Sequence, residues 1–383
     1  MNSFTVNQTK SFLKDLEIIV NIDSSSDHLE GVEAVARFFQ SRFSALGLSA
    51  EIVKLGERQV PCLLATGPGS AEPYDVMFLG HMDTVFPKGE ALKRPFFKDK
   101  HRAYGPGVCD MKGGLLVVLH TLELLAGQGK LNGFSFCVLF NGDEEVGSGA
   151  SLPFIAETAK KTRQVFVFEP CRPDYQFVLR RKGVGWFFIE AEGRASHAGA
   201  DPEKGSNAVH EIAYQIIKIH ELNDLQNGTS AHVTVINGGD KTNIIPDKAK
   251  AAVDIRISKV SEKKRVEDFF KRLNDNIHID GVSLKVKGSI ERSPMEPDDR
   301  TLAVWEIIRA KAEKIGVKAE HIATGGCSDG NITWSSGIPT IDGMGTVGAN
   351  SHSLDEYVEI DSINKILHIV SQTCIAIMTN KQT

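Results

Sequence analysis

The sequence predicts an α/β protein in which a sheet with helices on both faces is interrupted by a smaller β-α-β-β-α-β unit. Three observations carry this. Short apolar runs alternate with longer helical patterns toward both chain ends. The middle of the chain changes to a strand and helix order typical of a split βαβ unit. The length, 383 residues, exceeds the usual size of one domain and suggests two.

The elements follow in order. Leu29 to Leu46 reads as a helix, with Asp27 as its N-cap and Glu30 three residues on. Val76 to Leu79, Phe136 to Phe140 and Val165 to Phe168 are short, wholly apolar runs, as buried strands require. Leu115 to Leu125 is an apolar-rich helix, and Ile363 to Met378 carries the spaced apolar residues of another. Between them, Gly185 to Ala191 alternates like a strand and Asn207 to His220 is helical. Ala231 to Asn237 and Ala251 to Ile257 are strands, Ser261 to Asn274 a helix, and Val282 to Ile290 a strand. Inserted domains enter a host at surface loops, so residues near 181 to 292 read as an insertion.

Composition narrows the function classes. A formal charge of -5 and short, mixed charge runs argue against a nucleic-acid partner, which needs a clustered basic face. No apolar run approaches the length that spans a bilayer. The six cysteines, at 62, 109, 137, 171, 327 and 374, form no C-x-x-C pair, which argues against a thiolate zinc site and suits a reducing compartment. Met1 to Lys14 lacks the basic segment and apolar core of a signal peptide, so a cytoplasmic address is expected.

Five segments hold most of the chemically useful side chains. Gly80 to Pro87 places His81 two residues from Asp83, a spacing that suits a metal-ligating ring oriented by a carboxylate, or a turn with a capping aspartate. Tyr104 to Gly114 is glycine-rich, but Asp110 stands where a dinucleotide fingerprint has its third glycine, and Lys112 is not followed by Ser or Thr. A carboxylate there repels phosphate and attracts a cation; a plain glycine turn is the other reading. Asn141 to Gly147 holds Asp143, Glu144 and Glu145 in a row after a strand, either an acidic surface loop or acids gathered around something positive. Glu169 follows an apolar strand and needs a partner or solvent. His352 lies in Ser351 to Glu356. Taken together, two histidines and three or four carboxylates at sheet ends suit a pair of zinc ions bridged by a carboxylate.

In this order, the Gly80–Val85, Asp110–Gly114 and Asp143–Glu145 segments resemble the co-catalytic zinc exopeptidase family of aminoacylases and glutamate carboxypeptidases. Acetylornithine deacetylase and succinyl-diaminopimelate desuccinylase belong to the same family. The resemblance runs from about Leu16 to His368. Ala195 to Ala200 and Thr242 to Pro246 are similar to its bacterial glutamate-carboxypeptidase branch. It implies a mixed-sheet catalytic domain from residues 1–180 and 293–383, and a ferredoxin-like lid and dimerisation domain at 181–292. It implies two Zn2+ per chain, with Co2+ or Mn2+ as alternatives. Asp110 would bridge them, with His81 and Glu169 on one and Glu145 and His352 on the other. Glu144 would be the general base, and Asp83 would hold the His81 ring. His197 would reach a partner subunit's site to stabilise the oxyanion, and Arg256 would pair with the substrate carboxylate. Asn243 and Gly326 would be further substrate contacts. A glutamate at 169 tilts the reading toward substrates with a free carboxylate, so the substrate would be a small peptide or N-acyl amino acid and the assembly a homodimer.

Three rival readings are weaker. Gly326 to Gly330 matches G-x-S-x-G, with Ser328, Asp342 and His352 as a conceivable triad, but Glu320 to Thr324 before it makes a poor strand. A non-catalytic, dimeric ligand-binding homologue would lack Glu144 or a ligand, and none is missing. His210-Glu211 and His220-Glu221 lack the second histidine of a zincin.

Overall fold

The computed structural model describes residues 3–380; Met1, Asn2 and 381–383 lie outside the described residues. The chain forms two compact units. One holds the chain up to Leu179 together with Pro297–Ala323 and the chain from Ser328 on; the other holds Arg180–Glu296 and Thr324–Cys327.

In the first unit a six-stranded sheet runs Ser49–Leu55, Val60–Thr66, Phe136–Asn141, Val76–His81, Val165–Val167, Thr340–Ile341. The first two pairings are antiparallel and the other three parallel, so the sheet is mixed. Every residue of Val76–His81 and Phe136–Asn141 is buried, which is why those strands read as unbroken apolar runs. Apolar clusters cover both faces, one around Phe39, Phe78 and Phe140 and one around Met77, Leu139 and Val167. The helix Gly114–Gly127 is apolar on nearly all sides because its first nine residues are buried. Gly114 permits its close approach to the sheet: a Cβ there would stand 1.9 Å from the carbonyl oxygen of Phe168.

Two local expectations need correction. The helix over 29–46 spans Leu29–Ala45, and His28, not Asp27, occupies the N-cap, with no side-chain cap. Asp27 sits one residue too early to cap; its exposed carboxylate pairs with Arg58 at 2.8 Å. Glu320–Thr324 does form a strand, paired with Gln176–Arg181 in a two-stranded sheet. Its polar, solvated residues lack the apolar pattern of a buried strand.

The second unit carries a four-stranded antiparallel sheet ordered Ser230–Gly238, Lys248–Ile257, Gly183–Glu192, Ser283–Arg292. In chain order this is 2-3-1-4, the ferredoxin-like arrangement. Helices Ala208–His220 and Ser261–Lys271 share a core with Phe187, Ile189, Val253 and Ile255. Strand alternation sends Trp186, Phe188, Asp254 and Arg256 to the other face. Asn207 caps the first helix, its side chain accepting from the His210 N–H at 3.0 Å.

An ionic cluster joins three helices of the first unit. His120 Nε2 lies 3.0 Å from Asp15 and Nδ1 lies 3.2 Å from Glu123, while Arg42 reaches both acids. Burial favours the neutral ring, but the two carboxylates outweigh it and raise the His120 pKa above its ordinary 6.5. Burial likewise opposes the charge of Asp15 and Glu123, yet His120 and Arg42 lower both below their ordinary 3.8 and 4.5. The histidine's contribution to stability is full below 6.5 and fades as pH rises through its raised folded value; the acids' contributions fade only as pH falls through their lowered values. His120→Ala is therefore expected to lower stability by about 1.5–3 kcal/mol more at pH 6 than at pH 10. Melting curves of parent and variant across that range check this, and a constant gap would refute it.

Candidate metal centre

The sheet's C-terminal edge gathers the site. His81 ends its strand, so its side chain emerges at the edge, buried. Its Nδ1 faces the backbone carbonyl of Asp83 at 3.0 Å, which turns Nε2 toward Asp110 Oδ1 at 3.1 Å and Glu169 Oε1 at 3.6 Å. Asp83 therefore meets the ring first through its backbone; its carboxylate is 3.5 Å away. That carboxylate instead accepts the Ser26 hydroxyl at 2.6 Å and the backbone N–H groups of Glu144 and Glu145, both at 3.1 Å. One buried aspartate thus holds the turn that carries two glutamates.

Asp110 lies in an irregular turn, Val108–Gly113, where its own backbone is not helical. Its second oxygen faces His352 Nε2 at 3.4 Å, and His352 Nε2 lies 3.1 Å from Glu145 Oε2. His352 occupies the left-handed region with φ 64° and its side chain is 54% exposed. A non-glycine residue held there has been positioned at a cost. The result is two trios, His81–Asp110–Glu169 and Asp110–Glu145–His352, each with its ligand atoms within 4.8 Å of one another.

Three carboxylates so close need positive charge. Hydrogen bonds donated to the Asp110 and Glu145 carboxylates push His352 up to about 10 against the opposing effect of burial. Burial alone would lower His81, but Asp110 and Asp83 raise it well above its ordinary value. Burial opposes ionisation of Asp110, yet both histidines hold its pKa low. Burial raises that of Glu145. Glu145 Oε1 is buried and makes no hydrogen bond. Two imidazoles, three carboxylates and one buried carboxylate oxygen left over form a donor set that fits a pair of divalent ions.

The second unit brings His197 and Asn243 together: the Asn243 carbonyl accepts the Ala198 N–H at 2.9 Å, and His197 pairs with Ile244 across two short strands. His197 Nδ1 accepts from the Gly199 and Ala200 N–H groups at 3.2 and 3.0 Å, which leaves Nε2 as the proton-bearing nitrogen. Arg256 makes two 2.9 Å bonds to Asp254. The Gly326 carbonyl accepts from Arg181 at 3.2 Å.

The serine triad does not form. Ser328 is fully buried, caps the helix Asp329–Ser335, and donates to Asp342 at 2.6 Å, while His352 turns to Asp110 and Glu145. Glu211 is buried and accepts from the backbone of His278 and Ile279, a structural task. Sequence reasoning missed Ser26, for which a lone serine far along the chain offers no signal. It also gives no role to Glu356, the last residue of the His352 segment. Glu356 is fully buried; burial pushes its pKa up to about 7 although three backbone N–H groups favour its charge.

Residues 77–376 match peptidase family M20/M25/M40, and the chain belongs to that family. It is a metal-dependent hydrolase. It is 31% identical over 374 residues to carboxypeptidase G2 of Pseudomonas sp. (strain RS-16), covering 94% of this chain and 88% of that one. It is 27% identical over 335 residues to the succinyl-diaminopimelate desuccinylase of Gluconacetobacter diazotrophicus, covering 82% and 84%. Among solved structures, the aminopeptidase PepT of Bacillus cereus has the same fold, with a TM-score of 0.77 and 20% identity over 96% of this chain and 98% of that one. The family resemblance drawn from the motifs is thereby borne out.

Proposed function

We propose that this chain is a carboxypeptidase that hydrolyses an amide bond beside a free carboxylate, with His81, Asp110, Glu145, Glu169 and His352 as ligands to two zinc ions. The pair of trios sharing Asp110, beside the Glu144–Glu145 turn, carries this reading. The 31% identity to a carboxypeptidase supports the substrate class. When bound, the zinc pair supplies Lewis-acid polarisation of a carbonyl and a lowered pKa for water.

The chain's own residues do the rest. Glu144 takes the proton of the attacking water and passes it to the leaving nitrogen. Asp83 fixes the backbone of Glu144 and Glu145, so base and ligand keep their spacing. His197, with its proton on Nε2, is a donor for the developing oxyanion. Arg256 binds the substrate carboxylate, with Asn243 and Gly326 as further contacts; Asp254 pre-orients the guanidinium.

Residues 181–292 serve as the lid and dimerisation domain of a homodimer, and residues 1–180 and 293–383 as the catalytic domain. Sedimentation is expected to give a dimer at micromolar concentration; a monomer there would remove His197 from action in trans. A cytoplasmic address suits six cysteines that are all free thiols. Among the described residues no helix is long and apolar enough to cross a membrane.

The 27% identity to a desuccinylase supports a second reading, an N-acyl-amino-acid deacylase. One experiment tests both. The purified protein is analysed for metal and assayed with C-terminal glutamyl and other dipeptides and with N-acetyl and N-succinyl amino acids, before and after chelation. About two zinc per chain, and dipeptide cleavage lost on chelation and restored by zinc, are expected. Preference for the acyl panel would move the assignment to deacylase. No metal and no cleavage with zinc supplied would refute both.

A further inference from the structure

We propose that Glu356 is a positioning residue that locks the Asp110 loop to the His352 turn, so that both segments present their side chains to one shared cation site. The proposal rests on the zinc ligation put forward above. Its geometry is independent of it. Glu356 Oε1 accepts the N–H groups of Cys109 at 2.7 Å and Asp110 at 2.8 Å, and Oε2 accepts that of Gly107 at 3.0 Å. These donors lie in the irregular turn around Asp110, outside any sheet ladder, and a buried N–H must find a partner. The partner comes from 246 residues along the chain.

Glu356 is also where the His352 turn becomes ordered backbone. The strand Tyr357–Glu359 begins at the next residue and pairs with Arg102–Tyr104, which leads into the Asp110 loop. Between Ala349 and Glu356 the turn holds two left-handed residues, Asn350 and His352. Glu356 is therefore a buried side-chain anchor at the end of the His352 turn, and the Asp110 backbone hangs on it. An ionised carboxylate is acceptor-only and can take three donors. A glutamine offers one acceptor oxygen and turns an NH2 toward an N–H. An aspartate is one methylene short.

A mere fold staple would show itself in stability alone, so the test reads the metal site. Apo parent, Glu356→Gln and Glu356→Asp are titrated with zinc against a chromophoric chelator. Their cobalt-substituted forms are compared by visible absorption, and amide exchange is followed at Gly107, Cys109 and Asp110. Glu356→Gln is expected to fold, to bind zinc about 10–100-fold more weakly than parent, and to show a shifted cobalt spectrum. The three amides should exchange slowly in parent and at least about tenfold faster in the variant. Equal zinc affinity and cobalt spectra in parent and folded variant would overturn the proposal. If neither variant folds, fast exchange at the three amides of the parent would overturn it, and slow exchange would support it. Should the parent itself take up no zinc, the ligation reading fails, and the exchange comparison still decides whether Glu356 holds the loop.

Discussion

Replacing Glu144 with alanine is expected to lower kcat by about 10²–10⁴-fold while leaving the metal content unchanged. The reason lies in the division of labour along the turn. Glu144 and Glu145 are neighbours, and both backbone N–H groups are fixed by Asp83. Removing the Glu144 carboxylate leaves those bonds intact, because the backbone makes them. Glu145 and the rest of its trio keep their positions. Under the proposed mechanism, the proton taken from water then loses its acceptor. KM should change little, since Glu144 is assigned no part in holding the substrate. Metal analysis and steady-state kinetics on the same preparation check this. A variant that loses metal as well would make Glu144 a ligand, and one that keeps its turnover would remove it from the mechanism.

Asp110→Asn is expected to produce the broadest failure of any single change at the site. Asp110 is the one residue common to both trios. Each of its oxygens faces a different histidine, Oδ1 toward His81 at 3.1 Å and Oδ2 toward His352 at 3.4 Å. An asparagine keeps the size, loses the charge, and offers only one oxygen. Under the proposed ligation, zinc affinity should fall at both positions by more than about 100-fold, and activity with it. By contrast, Glu169→Gln touches one trio and His352→Ala the other, so each should weaken one position and leave the other able to bind about one equivalent of metal. Equilibrium dialysis of the three variants separates a shared ligand from two independent ones.

Much of the fold was legible from residue patterns, for identifiable reasons. The runs Val76–Leu79 and Phe136–Phe140 are buried on both faces, so their apolar character is unbroken and their length suits strands. The split βαβ order in the middle of the chain showed because each strand there alternates, with Phe187 and Ile189 inward and Trp186 and Phe188 outward. Edge elements were less visible. Ser49–Leu55 is exposed or half-exposed throughout and Glu320–Thr324 is polar, so neither presents a clean period. The helix Ser3–Val20 and the antiparallel strand Val60–Thr66 carry no motif that drew notice.

For the site, the five segments were visible as chemistry but not as a place. Nothing in the spacing of residues 81, 110, 145, 169 and 352 shows that Asp110 stands between the others; the parallel strands 76–81 and 165–167 lie side by side and bring His81 near Glu169, and Asp110 joins them from the separate turn Val108–Gly113. The positioning groups were the least legible. Ser26 serves Asp83, and Glu356 serves the loop of Asp110, through contacts far along the chain. A serine or a glutamate earns no attention from its neighbours in sequence when its partners lie elsewhere in the chain, a carboxylate for Ser26 and backbone N–H groups for Glu356.

The left-handed, half-exposed His352 has a consequence for metal supply. Under the proposed ligation, the ion held by His81, Asp110 and Glu169 sits behind side chains that are almost wholly buried, whereas the other is held in part by a solvent-facing ring on a turn. The two ions would then exchange with the medium at different rates, the first slowly and the second quickly. Occupancy of the second position would follow the free divalent ion concentration around the protein. The enzyme would pass between a singly and a doubly loaded form as that concentration changes, without any effector other than the ion itself.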